Sequence, residues 1–236
     1  MNSRNVISNQ ADVHPQLLER LARYRGAEFR RPIPQRSHDA FGAADELVRR
    51  SGKPLVLDSG CGTGDSTVRL AQLFPDCFVL GVDKSRERLR RGEHQHGLLS
   101  GENFACVRAD LIDFWRLAHA GAWRLKYHFV LYPNPWPKAE HLVRRWHAHP
   151  VFSIVPQLGG RLEMRTNWRI YAAEFAISLA LHGVRSNTDV CDGAEQLTPF
   201  ERKYAASGHK LYRLTADLAA AAQQNSAGGQ QEETRS

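Results

Sequence analysis

The sequence predicts one α/β domain built on a doubly wound sheet of mostly parallel strands, with an antiparallel edge at the C-terminal end. Three observations predict this fold. The apolar run Leu55–Leu57 leads into a glycine-rich turn and then a helical pattern over Ser66–Phe74. A second apolar run, Phe78–Val82, ends in the acidic residue Asp83. Strand and helix patterns then alternate along the chain, as they do in doubly wound sheets.

The other elements follow in a regular order. Leucines at helical spacing predict a short helix over Pro15–Tyr24, and Phe41–Arg50 should form the helix before the first strand. The remaining helices are predicted at residues 85–94, 113–118 and 170–181, and the remaining strands at residues 103–109, 127–132, 160–166, 184–190 and 210–214. Ligands of such folds bind at the carboxyl ends of the strands, so we expect the site at that edge.

Composition divides the chain into a flexible basic N-terminal arm (residues 1–40), the main domain (41–218) and a disordered tail (219–236) rich in Ala, Gln, Gly and Glu. Within the arm, Arg25–Arg36 is basic, holds two prolines and lacks periodicity. The sequence allows two interpretations of this segment. It either lies along RNA phosphates or is a solvated linker.

Length and charge narrow the class of protein. A chain of 236 residues can bury one sizeable core. A net charge of +7 and a pI of about 9.5 favour nucleic acid as a partner, although a soluble basic protein has the same composition. The four scattered cysteines indicate neither a disulfide framework nor a metal site. No secretory or membrane segment is visible, which predicts a cytoplasmic protein without membrane association.

The turn that contains Gly60, Gly62 and Gly64 predicts a nucleotide-cofactor site. Glycine lets the main chain turn tightly and approach a ligand closely. A dinucleotide fingerprint needs a further glycine where Asp65 stands, so that fingerprint fails. A glycine turn without a ligand is the alternative. Asp83 argues against it, because a carboxylate at the end of the next strand can accept hydrogen bonds from two ribose hydroxyls.

The fourth strand runs into a segment with three prolines in five residues, Tyr132–Lys138. Prolines at this density exclude a strand or a helix and predict a rigid loop at the ligand edge of the sheet. Tyr132 and Trp136 offer flat faces to a base, and Lys138 offers a cation to a phosphate or a base oxygen. The alternative is a proline loop with a structural role only.

Four motifs carry a family resemblance over roughly residues 50–215. The turn from Asp58 to Gly64 resembles motif I of class I S-adenosylmethionine (SAM) methyltransferases. Pro133–Lys138, followed by His141 and the pair Arg144-Arg145, resembles the P-D-P-W-x-K…H…R-R signature of bacterial tRNA (guanine-N7)-methyltransferases. Met164–Tyr171 resembles that family's T-D-x-x-x-Y segment, and Thr198–Glu201 resembles its T-x-F-E motif.

The resemblance implies a Rossmann-like class I methyltransferase sheet, SAM as cofactor, and methylation of a guanine in the variable loop of tRNA by a monomer or homodimer. It also implies roles for individual residues. The cofactor residues would be Asp58, Gly60, Gly62, Gly64, Asp83, Asp110 and Asn134, and Asn134 would also be the catalytic residue. The substrate residues would be Lys138, Asn167, Thr198, Pro199, Phe200 and Glu201.

Two departures from the family pattern bear on activity. Asn134 and Asn167 stand where the family has aspartates. N7 of guanine has a lone pair and no proton, so no strong base is obligatory, and an asparagine oxygen can still accept a hydrogen bond. Charged hydrogen bonds contribute about 1.5–3 kcal/mol against about 1 for neutral ones, so two losses predict a rate on the order of 10- to 1,000-fold lower.

Two other hypotheses remain open. Asn134-Pro135-Trp136 partly resembles the (D/N)-P-P-(Y/W) loop of amino methyltransferases, which predicts an exocyclic amine of a base or of a protein as the acceptor. The second proline of that loop is missing here. The loss of two acids is also compatible with a catalytically weak paralogue that binds SAM or RNA.

Overall fold

The computed structural model describes residues 3, 5–24, 29–96, 100–192 and 194–219. Their strands form one seven-stranded sheet in the order β3-β2-β1-β4-β5-β7-β6. The strands are β1 (Leu55–Ser59), β2 (Phe78–Asp83), β3 (Phe104–Arg108), β4 (Leu125–Leu131), β5 (Arg161–Thr166), β6 (Ser186–Cys191) and β7 (Leu211–Asp217). The α-helices are α1 (Leu17–Tyr24), α2 (Gln35–Ser51), α3 (Asp65–Leu73), α4 (Arg86–His96), α5 (Leu111–Ala120), α6 (Arg169–Leu181) and α7 (Pro199–Ala206).

The predicted sheet is confirmed. Strands β1 to β5 pair in parallel, and β7 pairs antiparallel with both β5 and β6. Every residue of β1 and β2 is buried, which explains their continuous apolar runs. Successive side chains of β1 point to opposite faces, so Leu55 and Leu57 belong to one apolar cluster and Val56 to another.

Most predicted elements are present, with ends that differ by a few residues. Helix α2 begins at Gln35, six residues before the predicted start, directly after Pro34. Helix α5 begins at Leu111, because the Asp110 side chain caps it by accepting a hydrogen bond from the amide of Ile112 at 2.9 Å. The sequence patterns predict neither α7 nor the four short 3₁₀ helices between residues 139 and 158.

The N-terminal segment packs against the domain through α1. Leu17 and Leu21 of α1 are buried in a cluster with Leu142 and Ala148. The predicted boundary between arm and domain, at residue 40, falls inside helix α2. The division of the chain into arm, domain and tail stays a prediction. Residues 25–28, and all of the predicted tail except Ala219, lie outside the described residues. Among the residues that are described, no helix is both long and apolar enough to cross a lipid bilayer.

Candidate active site

A cavity of about 490 Å³ lies at the carboxyl ends of β1, β2 and β4. Its walls include the glycine turn after β1, the acids that follow β2 and β3, and the proline loop after β4. Four predicted site residues line it: Gly60, Asp83, Asp110 and Asn134. The chain order explains this convergence, because β4 lies on the opposite side of β1 from β2 and β3, which makes this point the switch in strand order.

The glycine turn has the backbone geometry that its sequence predicts. Gly60, Gly62 and Gly64 have φ angles of +88°, +62° and +82°, a region that other residues seldom adopt. The amides of Gly60 and Cys61 both donate to the carbonyl of Val82, at 2.8 and 3.2 Å, and so tie the turn to β2. Helix α3 begins directly after Gly64, so its N-terminus favours a ligand carboxylate or phosphate nearby.

Asp83 joins the turn to the cavity wall. It is the last residue of β2 and is 4% exposed. Its Oδ1 accepts a hydrogen bond from the amide of Ser85 at 2.7 Å, and its Oδ2 accepts from the amide of Gly62 and from Arg88 Nη1, each at 3.1 Å. A carboxylate has about four acceptor positions, so one remains for a ligand hydroxyl, and a second becomes available if Arg88 moves away.

Asp58 lies in β1, before the turn, and does not line the cavity. Its Oδ2 accepts hydrogen bonds from Ser66 Oγ at 2.6 Å and Thr67 Oγ1 at 2.8 Å, which ties β1 to the first turn of α3. Its Oδ1 is buried without a partner among the described residues. Burial raises the pKa of Asp58 to about 6, although the two hydroxyl donors oppose this shift.

Space for Thr67 depends on Gly81, which is the neighbour of Asp58 on β2. A Cβ atom added at Gly81 would lie 2.2 Å from Thr67 Oγ1 and 3.0 Å from the Sγ atoms of Cys61 and Cys106. Real Cβ atoms essentially never make a contact as short as the one of 2.2 Å. Glycine at position 81 therefore provides the space in which the hydroxyl of Thr67 donates its hydrogen bond to Asp58.

The proline loop brings Asn134 to the mouth of the cavity. Tyr132 and Trp136 both have positive φ angles, +48° and +44°, so the chain turns sharply on each side of Asn134. Asn134 is exposed, and its Oδ1 accepts only a long hydrogen bond from the amide of Trp136, at 3.3 Å. This oxygen therefore retains acceptor capacity for a ligand.

The aromatic faces predicted to receive a base already have protein neighbours. The guanidinium of Arg144 lies 4.8 Å from the centre of the Trp136 ring, and His141 meets that ring edge-on at 5.5 Å. Tyr132 packs against Tyr204 at 5.6 Å. Trp136 and Arg144 together line the cavity, so the surface offered there is a cation stacked on an indole ring.

The structure places the predicted substrate residues outside the cavity lining. Lys138 is exposed, with Nζ 3.9 Å from Glu140. Asn167 Nδ2 lies 3.1 Å from His209 Nδ1. Thr198 caps α7 by accepting a hydrogen bond from the amide of Glu201 at 3.0 Å, with Pro199 as the first residue of that helix. Phe200, in the first turn of α7, is 49% exposed, whereas Glu201 is completely buried.

Several cavity residues are not predicted from the sequence, among them Arg88, Trp146 and His149. Arg88 belongs to a run of arginines that is typical of a solvated helix face. His149 Nδ1 accepts a hydrogen bond from the amide of Val151 at 3.1 Å. Burial lowers the pKa of His149, and the positive charge of Arg31 lowers it further, so the ring is neutral at physiological pH. The sequence feature that comes nearest to indicating Trp146 and His149 as site residues is the run of aromatic residues and histidines directly after Arg145.

The seven-stranded sheet, the glycine turn and the acid that ends β2 together define a class I methyltransferase. A family model described as "Putative methyltransferase" matches residues 52–214. The tRNA (guanine-N(7)-)-methyltransferase of Saccharophagus degradans is 30% identical over 181 residues, covering 72% of this chain and 77% of that protein. That of Halorhodospira halophila is 30% identical over 198 residues, covering 74% and 80%. The chain belongs to the bacterial tRNA (guanine-N7)-methyltransferase family.

Solved structures show the same fold. The crystal structure of the 16S rRNA methyltransferase KamB has a TM-score of 0.58 and 18% identity, covering 75% of this chain and 93% of that one. An antibiotic-related methyltransferase has a TM-score of 0.52 and 18% identity, covering 73% and 92%. At these identities the likeness concerns the fold alone.

Proposed function

We propose that the protein transfers the methyl group of SAM to N7 of a guanine in the variable loop of tRNA. One observation carries the proposal. A single cavity joins Gly60 and Asp83, which suit the cofactor, to Asn134 and Trp136, which suit a base. Family membership supports the same acceptor, because the curated relatives are named tRNA (guanine-N(7)-)-methyltransferases.

The residues of the cavity fit SAM. A volume of about 490 Å³ is within the range of small-molecule sites. Asp83 would accept from the ribose hydroxyls, and the turn from Gly60 to Gly64 would lie against the methionine part. Asp58 does not line the cavity, but it lies directly before the turn with its Oδ1 unpartnered among the described residues, so its negative charge would favour the ammonium group of the methionine part. Asp110 lines the wall with its Oδ1 already bonded to Ile112, so its second oxygen would face the cofactor.

Bound SAM supplies a methyl group on a positively charged sulfur. The N7 lone pair forms the new N–C bond while the C–S bond breaks, so the positive charge moves to the guanine ring and no proton leaves N7. The chain therefore has to position the base in line rather than to remove a proton. Asn134 is the catalytic residue of this proposal, because its Oδ1 can accept from guanine N1–H or N2–H at the cavity mouth.

The other predicted substrate residues divide into two groups by their surroundings. Lys138 and Phe200 are exposed, so we propose them as direct contacts with RNA phosphate and base, and we propose the exposed Pro199 and the half-buried Asn167 as further contacts. Thr198 and Glu201 are buried and would act by holding α7 in place.

A second cavity, of about 620 Å³, supports RNA as the partner. Four cationic side chains line it, Arg31, Arg36, Lys84 and Arg108, together with Asp110 and Asp113. It shares Lys84 and Asp110 with the first cavity, so the two adjoin. Arg31 is paired with Asp113, which leaves Arg36, Lys84 and Arg108 as the cations for phosphate groups.

The test is direct. The protein is incubated with labelled SAM and total tRNA from a strain that lacks its own N7 enzyme, and N7-methylguanosine is mapped by borohydride–aniline cleavage. We expect cleavage at a guanine of the variable loop. Label on adenine or on protein would replace this proposal with a changed acceptor. SAM binding by calorimetry without any transfer would indicate a binding protein instead.

A further inference from the structure

We infer that Arg145 and Glu174, together with Ser8, Asn9 and Gln10, form a brace that positions the loop carrying Asn134. These five residues are called the loop brace. The inference rests on the proposed function for what the loop does, but the brace itself follows from the contacts. It makes Arg145 and Glu174 positioning residues, since neither lines the cavity.

Arg145 is the centre of the loop brace. Its side chain is 0% exposed, and its guanidinium binds main-chain carbonyls on the loop. Nε and Nη2 donate to the carbonyl of Trp136 at 3.2 and 3.1 Å, and Nη2 also donates to that of Lys138 at 3.4 Å. Nη1 donates to Glu174 Oε2 at 2.6 Å, and the guanidinium lies 4.8 Å from the centre of the Trp168 ring. The planar fork of an arginine is what allows these contacts at once.

Glu174 fixes the other end of this ion pair. Its Oε2 also lies 2.8 Å from His147 Nε2, and its Oε1 accepts from the amide of His14 at 2.9 Å and from Gln10 Nε2 at 2.6 Å. Burial alone would raise the pKa of Glu174, but His147 and Arg145 lower it to about 2. Glu174 is therefore ionised at physiological pH, and the charge of Arg145 is compensated inside the protein.

The N-terminal segment completes the loop brace from the other side. Ser8 Oγ donates to the carbonyl of Pro137 at 2.5 Å, and Asn9 Oδ1 accepts from the amide of Ala139 at 3.1 Å. Gln10 Oε1 accepts from Arg145 Nη2 at 3.0 Å. Main-chain groups at four successive positions, residues 136–139, are therefore held by groups from outside the loop.

The backbone of the loop explains why a brace is needed. Trp136 has a φ angle of +44°, which is unfavourable for a residue with a side chain and persists only where its surroundings impose it. The carbonyl of this same residue receives two hydrogen bonds from Arg145. The amide of Trp136 is also the group that bonds to Asn134 Oδ1, so the brace sets the position of Asn134.

Arg145→Lys is the main test, because lysine keeps the buried charge for Glu174 but cannot bind both carbonyls. We expect kcat for tRNA methylation to fall about 10- to 100-fold, since small errors of position cost this much, while the Kd for SAM stays within twofold. Amide hydrogen exchange at Trp136, Lys138 and Ala139 should become faster. Ser8→Ala should give the same pattern several-fold more weakly. Ile7→Ala is the matched control, because Ile7 is 80% exposed on the same segment.

Two results would overturn the brace. One is a folded Arg145→Lys or Ser8→Ala protein with unchanged kcat and unchanged amide exchange at residues 136, 138 and 139. The other is a fall in thermal stability with wild-type kcat for the folded fraction, which would make the contacts structural only. The exchange measurement needs no substrate, so it tests the brace even where wild-type protein forms no N7-methylguanosine, the result that would refute the proposed function.

Discussion

Arg165 Nη1 donates to Glu201 Oε1 at 2.6 Å, and both side chains are buried, 3% and 0% exposed. The second oxygen of Glu201 accepts from the amide of Leu197 at 2.9 Å, and Arg165 also pairs with Glu163 and Glu195. This arrangement fixes the start of α7 to β5. Both oxygens of Glu201 are bonded inside the protein and its side chain is completely buried, so the substrate contact that the sequence motif implies stays a prediction.

The first prediction concerns this ion pair. Glu201→Ala should lower the free energy of unfolding by roughly 1–3 kcal/mol, because it removes one of the three carboxylates around a buried guanidinium and leaves the amide of Leu197 without its acceptor. Denaturant unfolding measures the loss. Glu195→Ala is the control, since its side chain is 54% exposed and it should cost less than about 1 kcal/mol. A Glu201→Ala protein with wild-type stability but no methylation would restore a direct contact with guanine.

The second prediction separates the two asparagines that replace family aspartates. Asn134 lines the cavity, whereas Asn167 is bonded to His209 and does not. We expect Asn134→Asp to raise kcat for tRNA methylation about tenfold by adding charge to a hydrogen bond with guanine. Asn167→Asp should change kcat less than threefold, because Asn167 lies outside the cavity and would affect RNA binding rather than the position of the guanine. Steady-state kinetics with tRNA measures both values of kcat. Equal changes in kcat for the two variants would contradict the different roles given to Asn134 and Asn167.

The third prediction is a dependence on pH that comes from Asp58. Its folded-state pKa is raised to about 6, so ionised Asp58 costs stability, and that cost grows as the pH rises from about 4 through 6. Relative to wild type, Asp58→Asn should gain up to about 3 kcal/mol of stability between pH 4 and pH 7, at about 1.4 kcal/mol per pKa unit.

Protonation of Asp58 should weaken the binding of SAM, although it stabilises the fold. The wild-type Kd should increase as the pH falls below about 6, because protonated Asp58 accepts the ammonium group less well. In Asp58→Asn this step should disappear and the Kd should be higher at pH 7. Calorimetry between pH 5 and 8 measures both. A wild-type Kd that is flat across this range would remove Asp58 from the cofactor site.

The fourth prediction concerns the basic cavity. Arg36→Ala with Arg108→Ala should weaken tRNA binding and reduce the slope of log Kd against log salt by about 0.7–0.9 for each phosphate that the protein no longer neutralises. Arg49→Ala is the control on the helix that carries Arg36, because its side chain is 74% exposed, pairs with Asp45 and does not line the basic cavity. An unchanged slope in the double variant would place the tRNA backbone elsewhere on the protein.

The sequence was most informative where a pattern is local. The run from Leu55 to Asp65 specifies a strand, a positive-φ turn and a helix start through residues adjacent in the chain, and the structure confirms all three. Asp83 and the proline loop both line the cavity at the carboxyl edge of the sheet, and their sequence positions predict this meeting because parallel strands end on the same side.

The sequence patterns do not predict interactions between residues that are far apart along the chain. Arg145 follows another arginine in a basic stretch, which is typical of a solvated surface. Its partners Glu174 and Gln10 are 29 and 135 residues away along the chain, so only the fold reveals that it is buried. The rigidity ascribed to prolines comes in large part from these interactions.

Gly81 has no side chain, lies in the middle of β2 and does not line the cavity, yet the cofactor turn depends on it. A methyl group there would collide with Thr67 Oγ1 at 2.2 Å and displace the hydroxyl that supports Asp58. A genetic screen for impaired tRNA methylation would therefore score Gly81 as severely as residues of the cavity. An active site inferred from such a screen alone would therefore appear too large. Measuring the stability of each variant as well would separate Gly81 from the residues that contact ligands.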